Sequence, residues 1–247
     1  MPVADAIKSG DEAYLERWKL FLYGWPGSGK TTLAASSPRP LIIEFDDGGH
    51  VVLRNLPPGL RSGVQWYATT EWSKAVAFLR DLVRDKKYLA NIDTIVIDTI
   101  SSLQSMERAR QIKRVDVLVE EKNPFHEAIY SSNNFRIAKF VEAVLSTGKN
   151  LILCGQMTED TIAVNGLQKK LIRPGLSPAL TREIMSMCDA CFFLELTGTT
   201  RTLRVQSSSD LLTKSRFPIG KNAIIRDPTW ETLQGFISQL QQAKEPA

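Results

Sequence analysis

Short apolar runs alternate with longer segments of helical periodicity along most of the chain. The runs are continuous rather than alternating with polar residues, which is typical of strands buried on both faces of a parallel sheet. They cover residues 19–23, 40–45, 64–67, 94–97 and 151–154. Helical spacing is found over 30–35, 71–86 and 102–146, the last interrupted near Pro124. The pattern predicts an α/β fold with a mostly parallel sheet and helices on both faces.

The pattern changes towards the C-terminus. Two further apolar runs, 190–196 and 202–206, flank Gly198 and predict an antiparallel hairpin at one edge of the sheet. A final helical segment, beginning near residue 227, follows. Since chain ends are where arms and disorder concentrate, we expect an N-terminal arm over 1–16 and one domain over 17–247.

Composition and charge add few constraints. The chain has 247 residues and a net charge of +4, which fits one core and permits nucleic-acid binding without indicating it. The sequence has no apolar run of membrane-spanning length and no signal-peptide layout, so we expect a cytoplasmic protein without a membrane partner. Cys154, Cys188 and Cys191 lie in or beside apolar runs and are predicted to be core residues rather than metal ligands.

The turn after the first predicted strand carries the strongest chemical signal. It has the spacing G-x-x-x-x-G-K-T and is followed by a helix-prone segment. In such a loop the backbone N–H groups face phosphate oxygens, the lysine reaches the β- and γ-phosphates, and the threonine hydroxyl ligates Mg²⁺. We therefore predict ATP and Mg²⁺ as cofactors. The predicted nucleotide-binding residues are Gly24, Trp25, Pro26, Gly27, Ser28, Gly29, Lys30, Thr31 and Thr32.

Two other apolar strands end in carboxylates that suit the same site. Asp98 follows the strand 94–97 in the Walker B layout, which predicts it as the second Mg²⁺ ligand beside Thr31. Glu44 and Asp46 follow the strand that starts at residue 40, and strand alternation puts both on the same side. Either carboxylate could position or deprotonate the attacking water. A solvated acidic turn is the alternative interpretation.

These pieces, in this order along the chain, resemble the RecA-like ATPase core. The likeness rests on the loop, the acids after the next strand, Asp98 with the small and apolar residues after it, and Gln156 at the end of an apolar run. The resemblance implies a RecA-like P-loop NTPase core in which Gln156 senses the γ-phosphate. It also implies that Asp46 stands where the family carries its catalytic glutamate, one methylene shorter, and Glu44 remains the other candidate. The compact chain looks most similar to the phage-encoded AAA-type nucleotide-binding proteins of the Sak single-strand annealing group.

The resemblance also implies roles for two basic segments. In RecA-like proteins a mobile loop follows the sensor glutamine and binds single-stranded DNA, and residues 157–178 occupy that position with Lys169, Lys170 and Arg173. An ordinary surface loop is the alternative. Lys214 and Arg216 resemble the Lys-x-Arg element that reaches the γ-phosphate of a neighbouring subunit, which implies a ring or filament. A surface basic pair is the alternative for these two.

The function that the resemblance implies is DNA-stimulated ATP hydrolysis in recombination or single-strand annealing. Candidate partners are single-stranded DNA, further copies of the chain and a single-strand-binding protein. Three other functions stay open: a helicase motor or loader, a small-molecule phosphotransferase, and an ATP-switched binding protein with little hydrolysis. Guanine specificity usually needs an Asn-Lys-x-Asp element, which the sequence lacks, so ATP is favoured over GTP.

Overall fold

A computed structural model describes residues 17–46, 49–115, 124–164, 167–217 and 223–242. The arm expected at 1–16 lies outside this part of the chain. The strands are β1 Lys19–Gly24, β2 Pro40–Glu44, β3 Gln65–Ala68, β4 Thr94–Asp98, β5 Asn150–Val164, β6 Leu167–Pro174, β7 Ala190–Thr197, β8 Thr200–Arg204, β9 Lys214–Ser215 and β10 Ile224–Arg226. The helices are α1 Lys30–Ala35, α2 Gly49–Arg54, α3 Pro58–Arg61, α4 Trp72–Arg84, α5 Lys86–Leu89, α6 Ile100–Val115, α7 Pro124–Leu145, α8 Pro178–Met187 and α9 Trp230–Gln242.

The strands form one large sheet in the order β10-β8-β7-β1-β5-β4-β2-β3. From β7 to β3 every neighbouring pair is parallel. Strands β8 and β9 pair with β7 in the antiparallel direction, and β10 pairs with β8 in the same way. The predicted α/β class, the mostly parallel sheet and the C-terminal hairpin are confirmed. In this order β1 and β4 lie on either side of β5, so the ends of the three strands meet at one edge.

Helices cover both faces of the sheet because successive strand residues point to opposite sides. Phe21 and Ile97 belong to the core that the sheet forms with α4, α6, α7 and α8. Leu22 and Val96, one position away on the same strands, belong to the core formed with α1 and α9. The alternation explains why the central strands carry continuous apolar runs. The same alternation puts Asp98, two residues after Val96 on β4, on the face of the sheet that α1 covers.

The three cysteine thiols are buried and unpaired, which agrees with their prediction as core residues. Burial raises the pKa of each thiol, that of Cys188 to about 12. Among the helices in the described ranges, none is long and apolar enough to cross a membrane.

The segment 157–178, predicted as a loop, instead forms a β-hairpin and the start of a helix. Strand β5 does not stop at Cys154 but continues to Val164 and pairs with β6 in an antiparallel ribbon. Beyond the sheet the ribbon has polar side chains on both faces, so it lacks the apolar run by which the other strands were recognised. The sequence does hold a turn signal, Asn165 followed by Gly166 between two short β-prone stretches.

Candidate functional site

The phosphate-binding loop follows β1 at the carboxyl edge of the parallel sheet. Strand β1 is almost wholly buried between β5 and β7, which fixes the start of the loop at Gly24. Gly27 and Gly29 have φ angles of +79° and +98°, which side chains other than glycine rarely adopt. The two glycines therefore allow the backbone to wrap into the tight loop that the sequence pattern predicts.

Lys30 is held inside this loop. Its side chain is only 7% exposed, and Nζ donates hydrogen bonds to the carbonyl oxygens of Gly24 at 3.0 Å and Trp25 at 2.8 Å. Burial lowers the pKa of the ammonium group, and the charges of Asp98 and Asp46 oppose that effect. The cation thus lies at the centre of the loop, with carboxylates near it that suit a metal-bound triphosphate.

Thr31 and Asp98 form the pair to which the sequence assigns the metal. Thr31 Oγ1 donates a hydrogen bond to Asp98 Oδ2 at 2.6 Å, so the first turn of α1 is joined directly to the end of β4. Burial raises the pKa of Asp98, the hydrogen bond from Thr31 lowers it, and the charge of Asp46 raises it. A hydroxyl and a carboxylate are hard oxygen ligands of the kind Mg²⁺ prefers. The two side chains therefore fit the predicted ion.

Asp46 and Glu44 have different surroundings. Asp46 accepts a hydrogen bond from Ser102 Oγ at 3.2 Å and is close enough for its charge to act on both Lys30 and Asp98. Glu44 is 2% exposed, and its Oε2 accepts a hydrogen bond from Trp66 Nε1 at 2.7 Å. Asp46 is therefore oriented from the α6 side of the site, whereas Glu44 is held towards β3.

Gln156 lies between the loop and Asp98 on the intervening strand. In the register of β1 and β5, Gln156 is directly opposite Gly24. Its backbone N–H donates to Ser101 Oγ at 3.1 Å, while its side chain is exposed. The register puts the backbone of Gln156 beside the first residue of the loop, and its role as a γ-phosphate sensor stays a prediction.

Lys214 and Arg216 lie at the edge of the sheet opposite to the phosphate-binding loop of the same chain. Strand β9 pairs with the first residues of β7, next to the start of β1. Lys214 Nζ donates to the carbonyl oxygens of Met185 at 2.6 Å and Cys188 at 2.9 Å, and Arg216 lies 3.2 Å from Asp189. Neither cation can therefore reach a nucleotide held by the loop of the same chain.

The three basic residues predicted to bind DNA lie on β6 and differ in their contacts. Lys169 and Lys170 are exposed and, being adjacent on a strand, point to opposite faces of the hairpin. Lys170 has Glu159 at 3.1 Å. The guanidinium of Arg173 is paired with Asp160 and also donates to the carbonyl oxygens of Pro174 and Leu176. Arg173 therefore braces the base of the hairpin, whereas the lysines are open to solvent.

Arg201 and Tyr130, which no sequence motif marks, also lie close to the predicted site residues. Arg201 on β8 lies over Gly29 of the loop, although no motif links them in the sequence. The ring of Tyr130 on α7 has the guanidinium of Arg108 at 4.3 Å from its centroid. Both placements arise from the packing of distant elements, so no local signal could have revealed them.

The edge of the sheet thus brings together a glycine-rich loop, the buried Lys30, the Thr31–Asp98 pair, Asp46 and Gln156. Among curated proteins, no relative matches the chain. A family model described as an AAA domain matches residues 16–217, which include every one of these groups. Since that match covers most of the chain, the protein belongs to the AAA domain family and is an AAA-type, nucleotide-binding P-loop ATPase.

Proposed function

We propose that this ATPase binds single-stranded DNA and couples that binding to ATP hydrolysis in recombination or single-strand annealing. The observation that supports this proposal is the continuity of β5. The same strand carries Gln156 beside the phosphate-binding loop and then runs on into the hairpin with Lys169 and Lys170. A change at the γ-phosphate therefore has a route to an exposed basic surface along one continuous, hydrogen-bonded strand.

Each side chain at the sheet edge has a separate role in the hydrolysis of ATP to ADP and phosphate. Lys30 binds the β- and γ-phosphates, and Asp46 orients the attacking water and accepts its proton. When Mg²⁺ is bound at Thr31 and Asp98, it neutralises charge on the phosphate oxygens. Gln156 contacts the γ-phosphate and transmits its presence along β5.

The DNA surface extends from Gln156 into a groove between the hairpin base and helices α6 and α7. This groove has a volume of about 520 Å³ and is lined by Gln156, Arg108, Tyr130 and Arg173, among others. Single strands are commonly bound by cations that follow the backbone together with an aromatic ring on which a base stacks. The Arg108–Tyr130 pair supplies the aromatic ring that the hairpin itself does not contain.

We expect the double substitution Lys169→Ala/Lys170→Ala to weaken binding of single-stranded DNA and to remove most of the DNA stimulation of ATPase activity. Each phosphate contact that is lost should lower the slope of log affinity against log salt by about 0.7. Loss of both contacts would lower it by about 1.4. Titration of a labelled oligonucleotide at several salt concentrations measures the slope, and phosphate release with and without DNA measures the stimulation.

The matched control for the lysine pair is Lys86→Ala/Lys87→Ala, because these adjacent lysines are also exposed. They lie on α5, which precedes the start of β4, whereas the nucleotide site is at the end of that strand. The control should leave both the slope and the stimulation unchanged. Equal behaviour of the two double variants, with intact basal ATPase activity in each, would contradict the assignment of the hairpin to DNA.

We expect Arg216 to act on the nucleotide of a neighbouring subunit. Arg216→Ala and Lys30→Ala should each lose ATPase activity, but a mixture of the two should recover part of it. In mixed assemblies an intact loop from one subunit meets an intact arginine from the next. Phosphate release as a function of mixing ratio measures the recovery. Activity that never exceeds the sum of the two separate variants would contradict action between subunits.

A further inference from the structure

Arg201 of β8 lies directly against the phosphate-binding loop. A methyl group built on Gly29 would be 2.5 Å from Arg201 Nε and 2.6 Å from its Cδ. Such distances are shorter than van der Waals contact, so Arg201 occupies the space that a side chain at residue 29 would fill, and the φ of +98° independently favours glycine there. The arginine is therefore packed onto the loop rather than extended into solvent.

The Arg201 side chain has unused hydrogen-bonding capacity at this position. Its Nε is buried and has no hydrogen-bond partner among the residues that the structure describes. Buried donors of this kind are rare in folded proteins because an unsatisfied N–H group loses its hydration without compensation. A guanidinium is also the side chain best suited to phosphate oxygens, since it presents several N–H groups in one plane.

The backbone of Arg201 is fixed, which defines where the guanidinium can reach. Asp227 accepts a hydrogen bond from the Arg201 N–H through Oδ1 at 2.9 Å, and the Arg201 carbonyl accepts one from the Asp227 N–H at 2.7 Å. Strand β8 is further held between β7 and β10. The side chain thus projects from a rigid strand to the loop of the same chain.

The pocket beside Arg201 is not one of those lined by Gln156, the side chain assigned to sensing the γ-phosphate. Arg201 lines a pocket of about 460 Å³ together with Lys30, Thr31 and Thr32, and the pocket extends from these phosphate-binding residues to α2 and α3, with Asn55 and Leu60 in its wall. Gln156 lines different pockets, on the α6 side. A nucleotide whose γ-phosphate is near Gln156 would have its nucleoside end in the pocket beside Arg201.

We propose that Arg201 binds the nucleotide in cis, at the α-phosphate and the adjoining ribose. This inference rests on the proposed nucleotide site, and it gives Arg201 a role different from that of Arg216. A cation at the nucleoside end contacts ATP and ADP equally, so it contributes to affinity for both. A cation at the γ-phosphate would distinguish the two nucleotides and would act mainly on the rate of hydrolysis.

The test compares Arg201→Ala with Arg204→Ala, which removes an arginine from the same strand. Arg204 points to the other face of the strand and is paired with Glu195 at 2.7 Å. We expect Arg201→Ala to weaken binding of ATP and of ADP by the same factor, about tenfold or more, with KM raised and kcat nearly unchanged. Arg201→Lys should recover part of the affinity, whereas Arg204→Ala should match the wild type. Calorimetric titration measures both affinities, and thermal unfolding checks that each variant is folded.

Three outcomes would overturn the proposal while leaving the nucleotide site intact. Unchanged affinities in Arg201→Ala would show that the arginine only packs on the loop. A loss for ATP alone would move Arg201 to the γ-phosphate, and tighter binding would show that it covers the loop against nucleotide. A wild-type protein that binds neither nucleotide would instead contradict the nucleotide site itself.

Discussion

Replacing Lys30 with alanine should reduce ATP hydrolysis by about 100-fold or more, because the substitution removes the ammonium group that is buried inside the phosphate-binding loop. The Lys30 ammonium already lies against the carbonyl oxygens of Gly24 and Trp25, so it is positioned before the nucleotide binds. A preorganised charge of this kind stabilises the transferred phosphoryl group without a cost for reorientation. Phosphate release at saturating ATP and Mg²⁺ measures the effect.

Loss of activity in Lys30→Ala has to be separated from loss of structure, because Lys30 bonds within the loop. Lys30→Met keeps most of the apolar stem and removes the ammonium group with its two hydrogen bonds, so it should be as inactive as the alanine variant, and its thermal unfolding checks that it is folded. Lys87→Ala removes an exposed lysine far from the site and should hydrolyse ATP normally. Wild-type turnover in both Lys30 variants would show that the chemistry takes place elsewhere.

The parts of the site that the sequence could predict are those that form within a single short segment. The loop from Gly24 to Thr31 is contiguous, and its glycines, lysine and threonine have their spacing because each has to meet the same phosphate chain. Asp98 was predictable for a related reason: a fully buried strand has to end at the edge of a parallel sheet, where a carboxylate becomes accessible. The resemblance then related these local pieces to one another.

What the sequence could not predict depends on contacts between distant elements. Glu44 and Asp46 look equivalent along the chain, and only the packing of Trp66 against Glu44 and of Ser102 against Asp46 separates them. The approach of Arg201 to Gly29 is set by where β8 joins the sheet. Such contacts follow from strand order and register, which an apolar pattern does not specify.

The hairpin shows a different limit of pattern reading. Strand β5 changes character at the sheet edge: its buried part is continuously apolar, and its outer part mixes polar and apolar side chains on both faces. The apolar pattern by which buried strands are recognised stops at Cys154, although the strand itself continues to Val164. That continuity matters for function, since it makes the sensor position and the basic hairpin parts of one strand.

Asp46→Asn should reduce ATP hydrolysis by about 100-fold or more while leaving ATP binding intact, whereas Glu44→Gln should retain most of the activity. The asparagine can still accept the hydrogen bond from Ser102 but cannot take a proton from water. Removal of a negative charge near the phosphates should leave ATP affinity equal or higher. Single-turnover hydrolysis and ATP titration of the same protein preparations separate the two effects.

Glu44→Gln is the matched control because it makes the same chemical change on a neighbouring carboxylate. A glutamine at this position can still accept from Trp66 Nε1, so the packing between β2 and β3 is retained and the variant should fold normally. The opposite result, an inactive Glu44→Gln beside an active Asp46→Asn, would identify Glu44 as the base and give Trp66 the task of orienting it. In that case Trp66→Phe should lower the rate without changing ATP affinity, since the indole would then hold the catalytic carboxylate instead of a structural one.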